Sequence, residues 1–302
     1  MEFVILGSRG SALALAQVEL VKAALLAAHP GLRIEVKIVT TSGDRRGDVR
    51  PGEVMEGAGL KGMFTKEIQD ALLCGEIDAA IHSLKDLPGQ TPAELCLAAV
   101  LPRADVRDVL ISKTPRGIFP GARIGTGSVR RRHQLAWKYP ETVLADLRGN
   151  VPTRLRKLAE SDSLDAIVLA RAGLARLGYS MTGGLLECEA GHFHLCEIDM
   201  LPAIGQGAIG IEIRAADGRG RDLFASVDHA PTHLCIRAER ELLRLLDGDC
   251  QLPVGMRIEL RGGEIFASAI VFHADARPPA QAEATGTEPE ALAFRLFQML
   301  SA

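Results

Sequence analysis

Short apolar segments alternate with segments of helical periodicity along most of the chain. An apolar run at Val4–Leu6 is followed by a helix that Ser11 can cap and that extends to about Ala28. Ile77–His82 and Leu164–Ala170 have the composition of buried strands, and each follows a predicted helix. Strands that alternate with helices favour parallel pairing with helices on the sheet faces. The sequence therefore predicts an α/β fold with two similar lobes and mixed, largely parallel sheets.

The end of the chain has a different pattern. A helix is predicted from about Thr232 to Leu246, followed by a hairpin with strands at Met256–Arg261 and Glu264–Phe272. A last helix covers about Pro289–Leu300. With 302 residues the chain is long enough for two or three domains. We expect a small C-terminal α+β domain beside the two lobes.

Positive charge is concentrated in the middle of the chain. Residues 103–157 contain 13 Lys and Arg against 4 Asp and Glu, whereas the remaining residues contain 22 against 34. A basic segment within an acidic protein indicates an anionic partner. Nucleic acid is one such partner, but the segment offers only Phe119, Trp137 and Tyr139 for base stacking.

Three arginines occupy the predicted first turn of the helix that begins after Ser128. Cations are disfavoured at this end of a helix because the macrodipole is positive there, whereas anions are favoured by its free N–H groups. Gly125 and Gly127 allow the backbone to approach an anion closely. The run Arg130-Arg131-Arg132 therefore predicts a carboxylate site rather than an ordinary solvated helix start.

Other candidate site residues also follow predicted strands. Arg9, Arg148 and Arg154 lie at loop or helix starts, where ligands of open α/β sheets bind. Arg176 lies on a later helix and suits a surface position as well as a binding one. Asp86 follows a strand, and such a carboxylate in a basic cleft can move protons or cap a turn before Pro88.

Several classes of site and location are not indicated. We find no signal-peptide pattern and no apolar run long enough to span a bilayer, so we expect a cytoplasmic protein without membrane contact. No nucleotide-binding fingerprint occurs. The residues from Glu187 to Cys196 lack two spaced ligand pairs, so we predict no metal site.

Seven motifs, in this order along the chain, resemble those of the hydroxymethylbilane synthase (porphobilinogen deaminase) family. They are Gly7-Ser8-Arg9-Gly10-Ser11-Ala12-Leu13-Ala14, Lys61-Gly62-Met63-Phe64-Thr65-Lys66-Glu67, His82-Ser83-Leu84-Lys85-Asp86-Leu87-Pro88, Gly125-Thr126-Gly127-Ser128-Val129-Arg130-Arg131, Leu147-Arg148-Gly149-Asn150, Leu201-Pro202-Ala203-Ile204-Gly205-Gln206-Gly207, and Glu239-Arg240 leading to Gly248-Asp249-Cys250-Gln251-Leu252-Pro253-Val254-Gly255. Each motif alone is weak, but the ordered set is specific.

The resemblance implies three domains. Two are α/β lobes like those of periplasmic binding proteins, one formed by residues 1–101 and 206–226 and the other by residues 102–205. The third is a C-terminal α+β domain of residues 227–302. The chain crosses between the lobes near residues 101 and 205.

The resemblance also implies the activity. Four porphobilinogen molecules are joined head to tail with loss of ammonia, on a dipyrromethane cofactor bound through a thioether to Cys250. Asp86 is the implied catalytic residue, which stabilises a cationic azafulvene and shuttles pyrrole protons. The implied binding residues are Arg9, Ser11, Lys85, Thr126, Ser128, Arg130, Arg131, Arg148, Arg154 and Arg176. We expect a monomer that binds a small substrate and no nucleic acid, with the glycine-rich segment 43–62 closing over the cleft.

One position departs from the family pattern. The family usually has glycine immediately before the cofactor cysteine, and this chain has Asp249. A neighbouring anion raises the pKa of a thiol and slows thioether formation, although we expect attachment to occur. No role is assigned to Arg132 or Arg171, and Arg123, Arg132 and Arg156 are interpreted as surface charges.

Two functions of other classes compete with the enzyme. A two-lobed anion-binding or effector-sensing protein accounts for the lobes and the arginines but leaves Asp86 and Cys250 without a role. A nucleic-acid-binding protein predicts a steep dependence of binding on salt concentration.

Overall fold

The computed structural model describes residues 3–42, 65–247, 252–273 and 277–301. Strands in these residues form three sheets. Each of the first two sheets has helices that pack on it, which agrees with the predicted α/β class.

The first sheet contains strands from two separate parts of the chain. Its elements are β1 (Phe3–Ser8), α1 (Ala12–Ala28), β2 (Arg33–Ile38), α2 (Lys66–Leu73), β3 (Ala79–Ser83), β4 (Leu95–Val100), β12 (Ile209–Arg214) and α6 (Gly218–Ala225). The strand order is β2-β1-β3-β12-β4, and α1 begins where the Ser11 side chain accepts a hydrogen bond from the Ala14 N–H. Val18, Val21 and Leu25 of α1 are fully buried in the core of this sheet.

The second sheet is built from the chain between these two parts. Its elements are β5 (Asp108–Ser112), β6 (Arg123–Gly125), α3 (Val129–Lys138), β7 (Val143–Ala145), α4 (Val151–Glu160), β8 (Ala166–Ala170), α5 (Arg171–Arg176), β9 (Ser180–Thr182), β10 (Leu185–Cys188) and β11 (Gly191–Glu197). The strand order is β7-β6-β8-β5-β11-β10-β9. The side chains of Ser128 and Asn150 cap α3 and α4.

The mixed α/β class is confirmed, but the expectation of largely parallel sheets is wrong. Each of the two sheets has two parallel pairs, against two antiparallel pairs in the first and four in the second. Tight turns join β9 to β10 and β10 to β11, and such short connections permit only antiparallel pairing. The prediction was based on alternating strands and helices, and this pattern does not indicate the hairpins that join β9, β10 and β11.

The third sheet is an antiparallel meander near the end of the chain. Its elements are α7 (Ala230–Leu245), β13 (Val254–Arg261), β14 (Glu264–Val271), β15 (Ala280–Gly286) and α8 (Pro289–Ser301). Both helices contribute buried residues to one core with the sheet, including Leu242 and Leu296. The predicted hairpin and helices are present, and β15 is an additional strand that follows Pro278 and Pro279.

Two segments connect the first sheet to the second and run side by side. They comprise residues 101–107 and 198–208. Leu101 N–H donates to the Ile209 carbonyl at 3.1 Å, and Ala104 N–H donates to the Gly207 carbonyl at 3.0 Å. These paired crossings lie beside the candidate site.

Candidate functional site

The turn that carries Lys85 and Asp86 is held against the second crossing. It is a single 3-10 turn, Leu84–Asp86, that follows β3, and the Leu84 N–H donates to the Ala208 carbonyl at 3.1 Å. Gly205 has φ +72°, and a Cβ there would lie 2.7 Å from the Leu84 carbonyl carbon. The crossing therefore needs glycine at 205 both for its backbone conformation and for its approach to this turn.

A buried arginine pair forms the centre of the basic cluster. Arg130 and Arg131 are each 4% exposed at the start of α3, and both contact the fully buried carboxylate of Asp108 on β5. Arg130 Nη2 lies 2.7 Å from Asp108 Oδ2, and Arg131 Nη2 donates to Asp108 Oδ1 at 2.8 Å. Burial alone would raise the pKa of Asp108, but the two guanidinium groups hold it well below its usual range.

Each arginine of this pair also donates to a backbone carbonyl. Arg130 Nη1 donates to Leu201 O at 2.6 Å, and Arg131 Nη1 donates to Val168 O at 2.7 Å. The Nε atoms of both side chains are buried and have no hydrogen-bond partner among the described residues. Unpartnered buried donors are unfavourable, so a ligand that accepts from them gains binding energy.

The Lys85–Asp86 turn lies within electrostatic range of this pair although it belongs to the other sheet. Burial lowers the pKa of the half-buried Lys85 ammonium to about 8; the Asp86 carboxylate opposes this shift, whereas the positive charge of Arg131 adds to it. Burial also lowers the pKa of Arg154 on α4 to about 10, again with Arg131 adding to the shift and Asp86 opposing it. Residues from both sheets thus form one charged site.

Arg9 and Ser11 lie on another side of Asp86. Together with Asp86 they line a small cavity between the start of α1 and the end of β3. Ser11 also caps α1, so its hydroxyl already accepts one hydrogen bond. Gln17 and Ser83, which line the same cavity, donate to each other through their side chains.

Four further predicted residues have other partners. Thr126 is buried and its hydroxyl accepts from the Ser128 N–H, while Ser128 caps α3. Arg148 is exposed and its Nε donates to Asp146 at 3.2 Å. Arg176 donates to the Gly207 carbonyl at 2.6 Å, and burial lowers its pKa to about 10.

The surface positions predicted for three other arginines are only partly confirmed. Arg123 and Arg156 are exposed. Arg132 is half-buried, and its Nη1 donates to the Thr126 carbonyl at 3.4 Å. The position of Arg132 in the sequence does not reveal this contact with the turn before α3. Arg171 pairs with Asp105 at 3.3 Å.

Two sequence predictions lie outside the described residues. They concern Cys250, in the segment 248–251, and the glycine-rich segment 43–62. The helix α7 that precedes Cys250 is tied to the segment after Asp86, because Arg240 Nη2 donates to Pro88 O at 3.0 Å and to Thr91 Oγ1 at 2.9 Å.

Sequence reasoning missed the acidic partners in this region. They are Asp108, which binds the arginine pair, and Glu239, which accepts two hydrogen bonds from Arg103 at 2.7 and 3.0 Å. The available sequence signal for Asp108 was an aspartate directly before the apolar run Val109-Leu110-Ile111. In the described residues no three His, Cys, Asp or Glu side chains are grouped to hold a metal. None of the described helices is long and apolar enough to cross a membrane.

The charges of the site suit a ligand with several carboxylates. Lys85, Arg130, Arg131 and Arg154 are four cations, and three described carboxylates, Asp86, Asp108 and Asp146, lie in electrostatic range of one or more of them. The cluster therefore has an excess of positive charge when Lys85 is protonated. Arginine is suited to such ligands because its planar fork binds carboxylates through two hydrogen bonds.

Known proteins match the chain over nearly its whole length. The family model "Porphobilinogen deaminase, dipyromethane cofactor binding domain" matches residues 4–222, and "Porphobilinogen deaminase, C-terminal domain" matches residues 233–302. The porphobilinogen deaminase of Acidithiobacillus ferrooxidans is 44% identical over 303 residues, which cover 98% of this chain and 94% of that protein. That of Syntrophobacter fumaroxidans is 44% identical over 289 residues, covering 95% and 89%.

Solved structures with more distant sequences also resemble the chain. The second substrate binding domain of a putative amino acid ABC transporter from Streptococcus pneumoniae is 15% identical with a TM-score of 0.46, covering 80% of this chain and 97% of that one. The methionine binding protein MetQ is 10% identical with a TM-score of 0.43, covering 82% and 95%.

Proposed function

The chain belongs to the porphobilinogen deaminase family, and from this premise we propose which of its residues carry the activity. It is an enzyme of tetrapyrrole biosynthesis that joins four porphobilinogen molecules head to tail, with loss of ammonia, and releases hydroxymethylbilane. It uses a dipyrromethane cofactor.

The basic cluster is the observation that supports our assignment of the binding residues. Each porphobilinogen carries an acetate and a propionate, so two linked pyrroles present several carboxylates. The two unpartnered Nε donors of Arg130 and Arg131 and the positive charge around them fit such a group. We assign carboxylate binding to Lys85, Arg130, Arg131 and Arg154 in the centre of the site, with Arg9, Ser11, Thr126, Ser128, Arg148 and Arg176 around it.

Asp86 is our candidate for the catalytic carboxylate. Departure of ammonia breaks the C–N bond of the substrate aminomethyl group and leaves a cationic methylene carbon, which a nearby carboxylate stabilises. After the new C–C bond forms, the pyrrole carbon loses a proton that Asp86 accepts. Its place among Lys85 and Arg154 supports this role, because those cations position substrate carboxylates beside it.

Cys250 is our candidate for cofactor attachment. A thiolate adds to an electrophilic methylene carbon and forms the thioether. When bound, the dipyrromethane supplies the pyrrole carbon to which the first substrate unit is joined. The support is that Cys250 lies within residues 233–302, which match the C-terminal domain of the family.

We further propose three domains, formed by residues 1–101 with 206–226, by residues 102–205 and by residues 227–302. The division of the strands among three sheets supports these boundaries. We propose a cytoplasmic monomer that acts on a small substrate, without nucleic acid or membrane partners. The burial of Arg130 and Arg131 supports the proposed absence of a nucleic-acid partner, because phosphate backbones are bound by exposed basic surfaces.

Intact mass spectrometry of the purified chain tests this assignment. The wild-type chain is expected to carry an added mass of two linked pyrroles, and Cys250→Ala is expected to lose both the adduct and the activity. Cys74→Ala is the matched control, because Cys74 is an exposed free cysteine at the end of α2 and its replacement should leave the adduct in place. A wild-type chain that is unmodified and inactive with porphobilinogen would contradict the proposal and favour a non-catalytic anion-binding protein.

A further inference from the structure

Asp108 is the only carboxylate that contacts both members of the buried arginine pair in the described part of the chain. It opens β5 and is fully buried, with Oδ2 toward Arg130 and Oδ1 toward Arg131. A single negative charge thus serves two guanidinium groups. Because its carboxylate is fully buried and paired with both arginines, Asp108 is not placed to be a general acid or base for a substrate in the cleft.

The contacts of Asp108 determine which N–H groups of the arginines remain for a ligand. In both arginines Nη2 is directed to Asp108 and Nη1 to a backbone carbonyl, and Nε is left without a partner. Two fixed contacts on a planar guanidinium define the orientation of the whole group. Asp108 therefore sets the direction of the donors that our proposed function assigns to carboxylates.

Gln206 in turn fixes Asp108. Its side-chain Nε2 donates to Asp108 Oδ1 at 3.0 Å and to Val106 O at 2.7 Å, and the residue is 1% exposed. Gln206 belongs to the second crossing, next to the Gly205 that supports the Lys85–Asp86 turn. The crossing consequently touches both the arginine pair and the proposed catalytic turn.

We propose that Asp108, held by Gln206, is a positioning residue that presets Arg130 and Arg131 for the carboxylates of the cofactor and substrate. The inference rests on the proposed function of the basic cluster. Asparagine at this position keeps the size of the side chain but removes its charge. Its amide oxygen can accept from one guanidinium only, while its NH2 group faces the other, so one arginine loses its anchor.

The test compares Asp108→Asn with Glu239→Gln in the full-length holoenzyme. Glu239 is also a fully buried carboxylate paired with an arginine, Arg103, and it contacts neither Arg130 nor Arg131. It also accepts a hydrogen bond from the Gly205 N–H at 2.6 Å, which the amide oxygen of glutamine can still accept. The two variants are expected to lose similar thermal stability. Only Asp108→Asn should raise KM for porphobilinogen, by about 10-fold, while kcat changes much less. The reason is that the arginines that bind the substrate carboxylates are misplaced. It should also reduce the fraction of chains that carry the cofactor by intact mass.

Equal KM values and cofactor loading in the two variants would overturn the inference, as would a KM below that of the wild type. If Asp108→Asn does not fold, Gln206→Leu provides the second measurement. It leaves both ion pairs intact but removes one anchor of Asp108, and we expect KM to rise about threefold with normal folding. An unchanged KM in Gln206→Leu would also reject the positioning role.

Failure of this inference is distinguishable from failure of the proposed function. A wild-type chain without the pyrrole adduct and without turnover would remove the premise. A loaded, active wild type together with an Asp108→Asn variant that behaves like Glu239→Gln would reject only the role of Asp108.

Discussion

Lys85 should make carboxylate binding dependent on pH near neutrality. Burial lowers the pKa of its ammonium group to about 8, in spite of the opposing charge of Asp86. A cation is protonated below its pKa, so Lys85 attracts carboxylates at low pH and loses this charge as pH rises through about 8. The lowered pKa values of Arg154 and Arg176, about 10, lie above this range, so Lys85 is the cation expected to titrate near neutrality.

The size of the effect follows from the fraction of Lys85 that is charged. With a pKa of about 8, roughly nine tenths of the side chains are protonated at about pH 7 and roughly one tenth at about pH 9. If only the form with protonated Lys85 binds, affinity for a carboxylate ligand falls about 10-fold over this interval, which is the upper limit of the effect. Bound carboxylates favour the protonated form, so binding at about pH 8 is accompanied by proton uptake.

The assay uses Cys250→Ala, which under our proposal lacks the attached cofactor and leaves the basic cluster open. Porphobilinogen affinity is measured by calorimetry between about pH 7 and about pH 9, in two buffers of different ionisation enthalpy. The same measurement on Cys250→Ala with Lys85→Arg is the control, because arginine keeps its charge throughout. Titration of the substrate itself affects both proteins and cancels in their ratio. An equal loss of affinity with pH in both would refute the reasoning.

Two further substitutions test the turn that carries Asp86. Asp86→Asn should bind porphobilinogen with an affinity within a few-fold of that of the wild type. Its turnover should fall by about 100-fold or more, because the anion that stabilises the cationic carbon is absent. Steady-state rates near those of the wild type would contradict the assigned role. Gly205→Ala should lower thermal stability by about 1–3 kcal/mol and also reduce turnover, since a Cβ there meets the Leu84 backbone at 2.7 Å. Gly178→Ala is the matched control, with a similar φ of +75° and nothing within 4 Å of the added Cβ. Equal losses in the two glycine variants would show that the crossing does not support the turn.

Local features of the fold were predictable because they depend on neighbouring residues. Ser11 and Ser128 cap helices as their positions before apolar or basic runs indicate. Arg130 and Arg131 occupy the first turn of α3 as predicted, and the structure places them in electrostatic range of Lys85. The pairing directions of the strands were predicted less well, because the sequence pattern does not show that a strand such as β12 returns to the first sheet in the opposite direction.

Long-range partners were not predictable from the same patterns. Three consecutive arginines have different partners in the fold. Arg130 and Arg131 are buried against Asp108, whereas Arg132 donates to a backbone carbonyl in the turn before the helix. Asp108 lies about 20 residues before them in the printed sequence and meets them only because β5 and α3 belong to one lobe. The spacing of Asp108, Arg130 and Arg131 in the sequence does not predict their contact.

The stoichiometry of this buried cluster has a physical rationale. Two buried guanidinium groups without a counter-ion would be strongly unfavourable, since removal of one partner of a buried ion pair costs about 3–5 kcal/mol. A second carboxylate beside Asp108 would satisfy both arginines and leave no donor for a ligand. One carboxylate for two arginines is stable enough to bury and still leaves both Nε donors unpartnered among the described residues. The arginine pair is therefore short of one negative charge, which a bound carboxylate supplies, and this explains why a buried aspartate opens β5 directly before Val109, Leu110 and Ile111.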